Sequence, residues 1–396
     1  MAALPLDGMR ILDLTRLLPG NYCCWLLASL GAEVTKVEDP GAGDYMRSIG
    51  RLVDGQSGTH HLVNRGKRSI VIDLKNPAGR ETLLRLVEQS DAIVESFRSG
   101  VMERLGVGPD VLRERNPAIV IASISGYGAT GPLSGVAAHD INALAFAGLM
   151  SQMTRNQEGV PEPLTTPLAD LIGGGFVPAM GVLALLLQAQ RTGTGGWLDA
   201  SLAEGVALLP SVLAGDVLSG GPAPIPGTPE WAGEPYYRVY ELLDGQVAVG
   251  AVEPQFWRGL CEAIGLPELI GATEGDEQRE AVERGLVERF GSMTRAEFLA
   301  LTDGRDTCAN LVLDTLEMSA SDHARARELV RPAVDVPMQV LAPPFRIDGS
   351  RPPETIGAPK QGEHTHAVLV DAGFSEEEIA RLVEAGAVGL AGGRRS

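Results

Sequence analysis

The stretch MRILDLTRLLPGNYCCWLLASLGAEVTKVE, residues 9–38, places a helical segment between two short β-rich runs. This pattern predicts a strand, a helix and a second strand. The alternation continues to about residue 125 through SIVIDL, GRETLLRLVEQS, DAIVES and PAIVIASIS. Repeated strand–helix–strand units are typical of an α/β fold with a doubly wound parallel sheet, in which ligands bind at the carboxyl ends of the strands.

The first crossover tests for dinucleotide binding. Glu38 ends the second strand, about where such folds keep the acid that binds ribose. Gly20, however, is the only glycine in the loop TRLLPGNYCCW. Because closely spaced glycines are what let a pyrophosphate approach the backbone, the sequence disfavours NAD binding.

The composition agrees with an α/β enzyme. Of the 396 residues, 44% are hydrophobic and only 5% are aromatic, which favours a core of Ala, Leu and Val between helices and a parallel sheet. The formal net charge of −18 disfavours nucleic acid as a partner, because an acidic surface repels phosphate backbones. An anionic ligand must therefore meet a local cluster of Arg and Lys.

The cysteines and the apolar segments bear on location. Cys23, Cys24, Cys261 and Cys308 lack the spacing of metal ligands, which indicates a reduced compartment and no metal site. The first and last residues show no leader or lipidation pattern, so we expect a cytoplasmic protein. The most apolar run, residues 176–190, is shorter than the roughly 20 residues that a bilayer requires. It predicts a core helix and no membrane partner.

Further along, the pattern changes twice. The segment GGWLDASLAEGVALLPSVLAG, which begins near Gly195, has the spacing of another buried helix. A Gly/Pro-rich stretch follows and predicts a linker over residues 219–230. Two β-like runs joined through Asp244–Gly245 then predict a hairpin. We therefore expect a large domain over 1–218 and a small α+β domain over 231–330.

Basic residues cluster in two places. NRGKRS carries Arg65, Lys67 and Arg68 just before a strand, and ESFRSGVMERLG carries Arg98 and Arg104 just after one. Guanidinium and ammonium groups match phosphate oxygens, so NRGKRS is a candidate phosphate clamp that the second pair could join. A solvated turn explains NRGKRS equally well.

Acid/base residues lie next to glycine loops or strand ends. They are His139 and Asp140 in GVAAHDINALAFAGLM, Asp170 before three glycines, and Glu253 in AVEPQFW. Each has an ordinary structural explanation: a buried imidazole bonded to a carbonyl, a helix cap, a strand end. The loop SGYGATGP, residues 125–132, can bring backbone N–H groups close to a ligand or serve only as a turn.

Several motifs together resemble the family III CoA-transferase (CaiB/BaiF) superfamily, and within it the α-methylacyl-CoA racemase branch. The resemblance rests on GYGATGP, AHDIN, LADLIGGG and AVEPQFW, with LLPG, NRGKRS and FRSGVMERLG upstream and GEHT near the end. It implies a Rossmann-like large domain, completed by residues 331–396 returning to it, and a smaller domain. It also implies an interlocked homodimer that brings Glu253 to His139, and basic residues that bind the phosphates of CoA.

The resemblance leaves two reactions open, and His139 distinguishes them. Transferases of the superfamily use the aspartate that matches Asp170 as a nucleophile and usually carry Phe or Tyr at the position of His139. Racemases use that aspartate and a histidine as two bases. We therefore expect a racemase acting on 2-methyl-branched acyl-CoA. CoA is then part of the substrate, and we expect no metal or redox cofactor.

The expected roles follow from this chemistry. Inverting a carbon α to a thioester requires proton removal on one face and delivery on the other, which His139 and Asp170 would supply. N–H groups near Gly173–Gly175 would stabilise the enolate, Glu253 would orient the imidazole, and Asp140 would assist. The alternatives are a CoA transferase with Asp170 as nucleophile and a non-catalytic protein that binds CoA thioesters.

Overall fold

The computed structural model describes residues 4–223, 233–271, 276–354 and 356–391. The chain divides into two compact units. The first consists of residues 1–150, 163–211 and 327–396, and the second of residues 151–162 and 212–326. The division thus falls near residues 211 and 326, whereas the sequence placed it at 218 and 330. Of the predicted linker, residues 224–230 lie outside the described residues.

The strands, numbered along the chain, are β1 (Arg10–Leu14), β2 (Glu33–Glu38), β3 (Leu52–Val53), β4 (Gln56–Ser57), β5 (Lys67–Ile72), β6 (Ala92–Glu95), β7 (Val120–Ser125), β8 (Trp197–Ser201), β9 (Tyr237–Leu242), β10 (Gly245–Gly250), β11 (Ala309–Leu311), β12 (Val330–Pro332), β13 (Gln339–Leu341) and β14 (Val388–Gly389).

The helices, numbered likewise, are α1 (Leu17–Ser29), α2 (Gly58–Asn64), α3 (Pro77–Val87), α4 (Val101–Arg104), α5 (Pro109–Arg115), α6 (Asp140–Phe146), α7 (Val177–Thr192), α8 (Leu202–Ala207), α9 (Ser211–Leu218), α10 (Pro254–Ile264), α11 (Asp276–Gly291), α12 (Arg295–Thr302), α13 (Thr315–Ala320), α14 (Asp322–Ala326), α15 (Thr365–Asp371) and α16 (Glu376–Glu384). A π-helix, Ala169–Phe176, leads directly into α7.

A seven-stranded sheet organises the first unit, in the order β14-β5-β2-β1-β6-β7-β8. All neighbouring strands pair in parallel except the edge strand β14, which is antiparallel to β5. Counted along the chain, the parallel strands follow the Rossmann order 3-2-1-4-5-6, so the strand order reverses between β1 and β6. The predicted doubly wound α/β fold is confirmed.

Aliphatic side chains fill the space between this sheet and its helices. Residues such as Leu83, Ile93 and Leu112 are fully buried. In β1, every residue after Arg10 is buried, as expected of a parallel strand covered on both faces. The tail contributes to the same core through Leu369 of α15 and Ile379 of α16. The C-terminal segment is therefore an integral part of the first unit.

Residues 197–207 differ from the expectation. The sequence predicted one buried helix from about Gly195, but β8 forms the edge of the large sheet and only then does α8 begin. Ser201 explains the change, because its side chain accepts a hydrogen bond from the Glu204 N–H and so caps α8. The apolar pattern of a strand followed directly by a helix resembles that of a single helix.

The π-helix and α7 form one helix, Ala169–Thr192, of 24 residues. The predicted core helix is thus longer than its most apolar run suggested. By length and composition it is the one helix in the described ranges that is long and apolar enough to cross a membrane, a test that core helices also pass. Gly173–Gly175 and Ala179 are buried in the unit, while Met180 is exposed.

The second unit contains the predicted hairpin. Strands β9 and β10 pair antiparallel, with Leu242 opposite Gly245, so Leu243 and Asp244 form the turn and Gly245 begins the second strand. β11 pairs with the other side of β10. Helices α10, α11 and α12 cover this small sheet around a core that includes Trp257 and Phe290.

Candidate active site

The loops that follow β1 and β6 lie beside the point where the strand order reverses. In sheets of this kind, ligands bind in the crevice outside the carboxyl ends of the strands at that point. Arg98 follows β6, and Arg104 ends the short helix α4 just beyond it. Both side chains are exposed, and neither forms an ion pair with any residue in the described ranges. They are free to meet an anionic ligand.

Arg65, Lys67 and Arg68 lie elsewhere. They stand at the start of β5, and pairing places Lys67 opposite Val34 near the beginning of β2. Arg65 and Arg68 line a cavity of about 760 Å³ with residues from the amino ends of β1 and β2. The five basic residues therefore form two groups at opposite ends of the sheet, and the structure does not support one phosphate site that all five share.

The side chains of Arg65 and Arg68 are also occupied. The Arg65 guanidinium is buried, bonds to the Glu354 carboxylate and lies 4.4 Å from the centre of the Trp25 ring. Arg68 donates to Asp371 at 2.8 Å. Both guanidinium groups are thus paired with carboxylates of the same chain.

Lys67 belongs to a fully buried polar network. Its Nζ donates to Asp13 Oδ2 at 2.8 Å and to Asn64 Oδ1 at 2.9 Å. Burial alone would raise the pKa of Asp13, but Lys36 and Lys67 outweigh it and hold that pKa below its ordinary value. An ammonium that is compensated in this way is not available to CoA phosphates, so the predicted phosphate contact of Lys67 is not supported.

Asp170 lies in the first turn of the π-helix, a rare form that occurs frequently at functional sites. The glycines that follow it permit close packing. A Cβ at Gly173 would lie 2.4 Å from the Leu202 carbonyl oxygen, and one at Gly174 would lie 2.3 Å from Pro19 Cβ. Gly173–Gly175 are thus required for contact with α1 and α8, and an oxyanion hole is not needed to explain them.

Asp140 determines the position and the acidity of Asp170. Its Oδ1 accepts hydrogen bonds from the backbone N–H of Ala169 at 2.6 Å and of Asp170 at 3.1 Å. Burial, together with the smaller effect of the negative charge of Asp140, raises the pKa of Asp170 to about 7. A carboxyl group with a pKa near 7 can both take and release a proton at neutral pH.

We expect Asp140→Asn to lower the pKa of Asp170. The amide keeps an oxygen that can accept from both N–H groups but removes the negative charge, while burial keeps part of the shift. In the direction in which Asp170 removes the proton, the rise of kcat/KM with pH should therefore move to lower pH. Asp140→Ala, which also removes the acceptor, should lower kcat in addition. An unmoved inflection in Asp140→Asn would contradict this account.

His139 precedes Asp140 directly and is the N-cap residue of α6. Its backbone N–H donates to Asn142 Oδ1 at 3.1 Å. The side chain is exposed in the single chain, so His139 is not the buried imidazole of the ordinary structural explanation, and one chain alone does not shield it from water. Because Asp140 holds the backbone of Asp170, His139 and Asp170 belong to one rigid arrangement of α6 and the π-helix.

Glu253 lies in the second unit, where it is the N-cap residue of α10 and is exposed. Its carbonyl oxygen accepts from the backbone N–H groups of Phe256 and Trp257. The carboxylate makes no hydrogen bond to any residue in the described ranges. Glu253 is thus free to contact another group, and its predicted role beside His139 stays a prediction.

Lys75 is a further candidate phosphate ligand, which the sequence analysis overlooked. It follows β5 at the carboxyl end, is exposed, and its carbonyl accepts from Arg80 at 3.2 Å. Arg80 Cδ in turn lies 3.8 Å from where a Cβ would stand on Gly106, just after α4. Lys75 therefore belongs to the end of the sheet that carries Arg98 and Arg104. Its position directly after SIVIDL was the available signal.

Comparison with known proteins agrees with this fold. The sequence matches CoA-transferase family III over residues 6–365. The chain belongs to this family. A CAIB/BAIF family protein from Brucella suis superimposes with a TM-score of 0.81 at 27% identity, over 93% of this chain and 100% of that one.

Named relatives in this family include both isomerases and transferases. The alpha-methylacyl-CoA racemase of Homo sapiens is 36% identical over 381 residues, covering 95% of this chain and 96% of the relative. The succinyl-CoA:glutarate CoA-transferase of Homo sapiens is 32% identical over 401 residues, covering 97% and 90%. Similarity therefore establishes the enzyme family, and the choice of reaction depends on the site residues.

Proposed function

We propose that this family member is a racemase that inverts the α carbon of 2-methyl-branched acyl-CoA thioesters. The observation that carries the proposal is the arrangement around Asp140. Its carboxylate holds the backbone of Asp170, while the residue directly before it is His139. The two candidate bases thus belong to one arrangement that a pair of hydrogen bonds holds together, as a two-base mechanism requires.

In the proposed reaction, one base removes the α proton and leaves an enolate of the thioester. The conjugate acid of the other base then delivers a proton to the opposite face, so configuration inverts and no atom is gained or lost apart from exchange. His139 and Asp170 exchange roles when the direction reverses. Coenzyme A is part of the substrate, and the reaction needs no metal or redox cofactor.

The transferase alternative makes Asp170 a nucleophile that takes the acyl group and then carries CoA as a thioester. It is supported by the transferases among the relatives. His139 favours the racemase instead, because a two-base mechanism needs a second acid/base group beside Asp170 and the transferases usually carry Phe or Tyr at this position.

A homodimer forms part of the proposal. Phe176, Met180 and Leu187 lie on one face of the long helix and are 41%, 66% and 47% exposed, although all are large and apolar. A second copy that covers exposed surface would also provide the dry surroundings that His139 lacks in the single chain, and would supply Glu253 to it. Light scattering should give twice the mass of 41.7 kDa; a monomer with full activity would contradict this part.

The decisive experiment uses a single enantiomer of a 2-methylacyl-CoA in deuterated water. The racemase proposal requires loss of optical purity together with deuterium at the α carbon, in the absence of any acceptor acid. If the α position stays protonated and CoA moves only after a second carboxylate is added, the transferase mechanism is correct. Trapping of a thioester on Asp170 with hydroxylamine would support the same conclusion.

We expect Arg98→Ala to raise KM for acyl-CoA more than it lowers kcat. Phosphate contacts bind ground state and transition state equally, so their loss affects KM. Lys67→Ala should instead lower the free energy of unfolding by about 3–5 kcal/mol, because it leaves Asp13 buried without one of its partners. Steady-state kinetics and denaturant unfolding of both variants test this contrast. Equal KM effects in two well-folded variants would overturn the structural assignment of Lys67.

A further inference from the structure

We propose that Asp199 is a positioning residue that fixes the glycine loop, residues 126–131, against the segment that carries Arg98. It would thereby serve the CoA part of the substrate and not the reacting carbon. The inference rests on the proposed role of Arg98 as a phosphate ligand.

Asp199 holds the glycine loop by its backbone. It lies on β8 opposite Ser123 of β7, and both of its carboxylate oxygens accept from the Ala129 N–H, at 3.0 and 2.9 Å. A backbone N–H shared by two oxygens of a charged carboxylate is held more firmly than one bonded to a neutral acceptor. The carboxylate is thus used within the fold.

The carbonyl group of Ala129 is bonded to the segment that carries Arg98. Ser99 Oγ donates to the Ala129 carbonyl oxygen at 3.2 Å, and Ser99 directly follows Arg98. Arg98, Ser99, Ala129 and Asp199 also line one cavity of about 210 Å³. Ala129 therefore connects β8 to the loop from which Arg98 extends. Removing the Asp199 carboxylate breaks one of the two contacts that make this connection.

Other hydrogen bonds hold the two ends of the glycine loop: the Gly126 carbonyl accepts from the Ala203 N–H at 3.1 Å, and the Gly131 carbonyl accepts from the Ser134 N–H at 3.3 Å. Gly128 adopts a φ of +90°, and a Cβ there would lie 3.6 Å from Asp199 Oδ2. The Gly128 N–H donates to Ser125 Oγ at 2.9 Å, which holds the loop only near its own start. At Ala129 itself, the hydrogen bonds within the described residues are those to Asp199 and Ser99.

The same loop also reaches toward the acid/base residues. Tyr127 packs edge-on against Phe146 of α6, with ring centres 5.5 Å apart, and α6 begins at Asp140. Two routes therefore lead from Asp199, one to the segment that carries Arg98 and one to α6. The route to Arg98 is favoured, because Ser99 bonds to Ala129, the residue that Asp199 holds. Substrates with and without the nucleotide part of CoA distinguish the two routes.

The experiment compares an acyl-CoA with the corresponding acyl-pantetheine thioester, which lacks the nucleotide phosphates. For Asp199→Ala we expect KM for acyl-CoA to rise about tenfold with kcat nearly unchanged. Kinetics with acyl-pantetheine should stay within about twofold of wild type. Asp199→Asn, which keeps one acceptor oxygen, should recover most of the loss. Ser99→Ala should change KM in the same direction by a smaller factor.

Asp91→Ala is the matched control. Asp91 Oδ2 accepts from the Arg10 N–H at 2.7 Å, the same kind of contact at the amino end of the sheet. Its loss should lower stability without changing the ratio of kcat/KM between the two substrates. Circular dichroism and thermal unfolding report folding of each variant, and Ser99→Ala substitutes for Asp199→Ala if the latter does not fold.

Two results would overturn the inference. Equal losses with acyl-CoA and acyl-pantetheine would show that Asp199 acts on the reacting end, and a change in stability alone would show a purely structural residue. Arg98→Ala separates these from failure of the proposed function. If Arg98→Ala changes the ratio between the two substrates and Asp199→Ala does not, the inference about Asp199 is wrong. If neither does, the phosphate role of Arg98 is wrong.

Discussion

His139→Ala should lower the rate of racemisation by at least about 10²–10⁴-fold, the usual contribution of a general acid/base group. Exchange of the α hydrogen should nevertheless survive for one enantiomer. Asp170 still removes and returns a proton on its own face, and the proton it carries exchanges with solvent. Configuration is then retained while deuterium enters, so exchange and inversion become separable.

The measurement follows deuterium content and optical purity together, starting from each enantiomer in turn. The fold should survive the substitution, because the His139 N–H and carbonyl groups keep their bonds to α6 and loss of the side-chain part of the cap costs only about 1 kcal/mol. His366→Ala is the control, since His366 is an exposed histidine in α15 that pairs with Glu376. It should behave as wild type. Racemisation near the wild-type rate in His139→Ala would exclude the two-base assignment.

Much of the fold follows from local pattern. The first unit alternates apolar strands with amphipathic helices, and each signal spans only a few consecutive residues. Local pattern did not predict the edge strand β8, because WLDAS continues without a break into the helix that Ser201 caps. The pairing of β14 with β5 joins residues more than 300 positions apart, which no local pattern encodes.

The residues of the candidate site likewise divide into those that local sequence could select and those that needed the tertiary structure. Arg98 and Arg104 follow a strand, and the rule that ligands bind at carboxyl ends was enough to select them. Lys67 begins β5, so the same rule would have argued against it, although its charge made NRGKRS a candidate phosphate clamp. Its partner Asp13 is 54 positions away and only tertiary structure brings the two together. In an acidic chain, composition alone suggested that every Arg and Lys could bind phosphate. Burial in the folded chain shows which of them are free to do so.

The role of Asp140 needed the structure as well. In sequence it is simply the residue after His139, and its chemistry suggested a third acid/base group. In the folded chain its carboxylate accepts from two backbone N–H groups at the start of the π-helix. A group bonded in this way orients Asp170 and raises its pKa through charge. Distances of this kind, across 30 positions of sequence, are not visible in a motif.

Asp170→Asn should show the mirror image of His139→Ala. The amide has nearly the shape of the carboxyl group but takes up no proton, so racemisation should again fall by at least about 10²–10⁴-fold. Exchange should persist only for the enantiomer whose α hydrogen faces His139. The backbone of Asp170 stays bonded to Asp140, and the fold should therefore be retained. Asp110→Asn, at a side chain that is 97% exposed, is the matched control.

The two variants together test more than either alone. If His139 and Asp170 lie on opposite faces of the substrate, the enantiomer that each variant still exchanges must differ, because each retains the base that the other lacks. Exchange of the same enantiomer in both would mean that a third group removes the proton. If Asp170→Asn instead loses all turnover with both enantiomers, and wild type yields a trapped thioester at Asp170, the carboxylate is a nucleophile and the chain is a transferase.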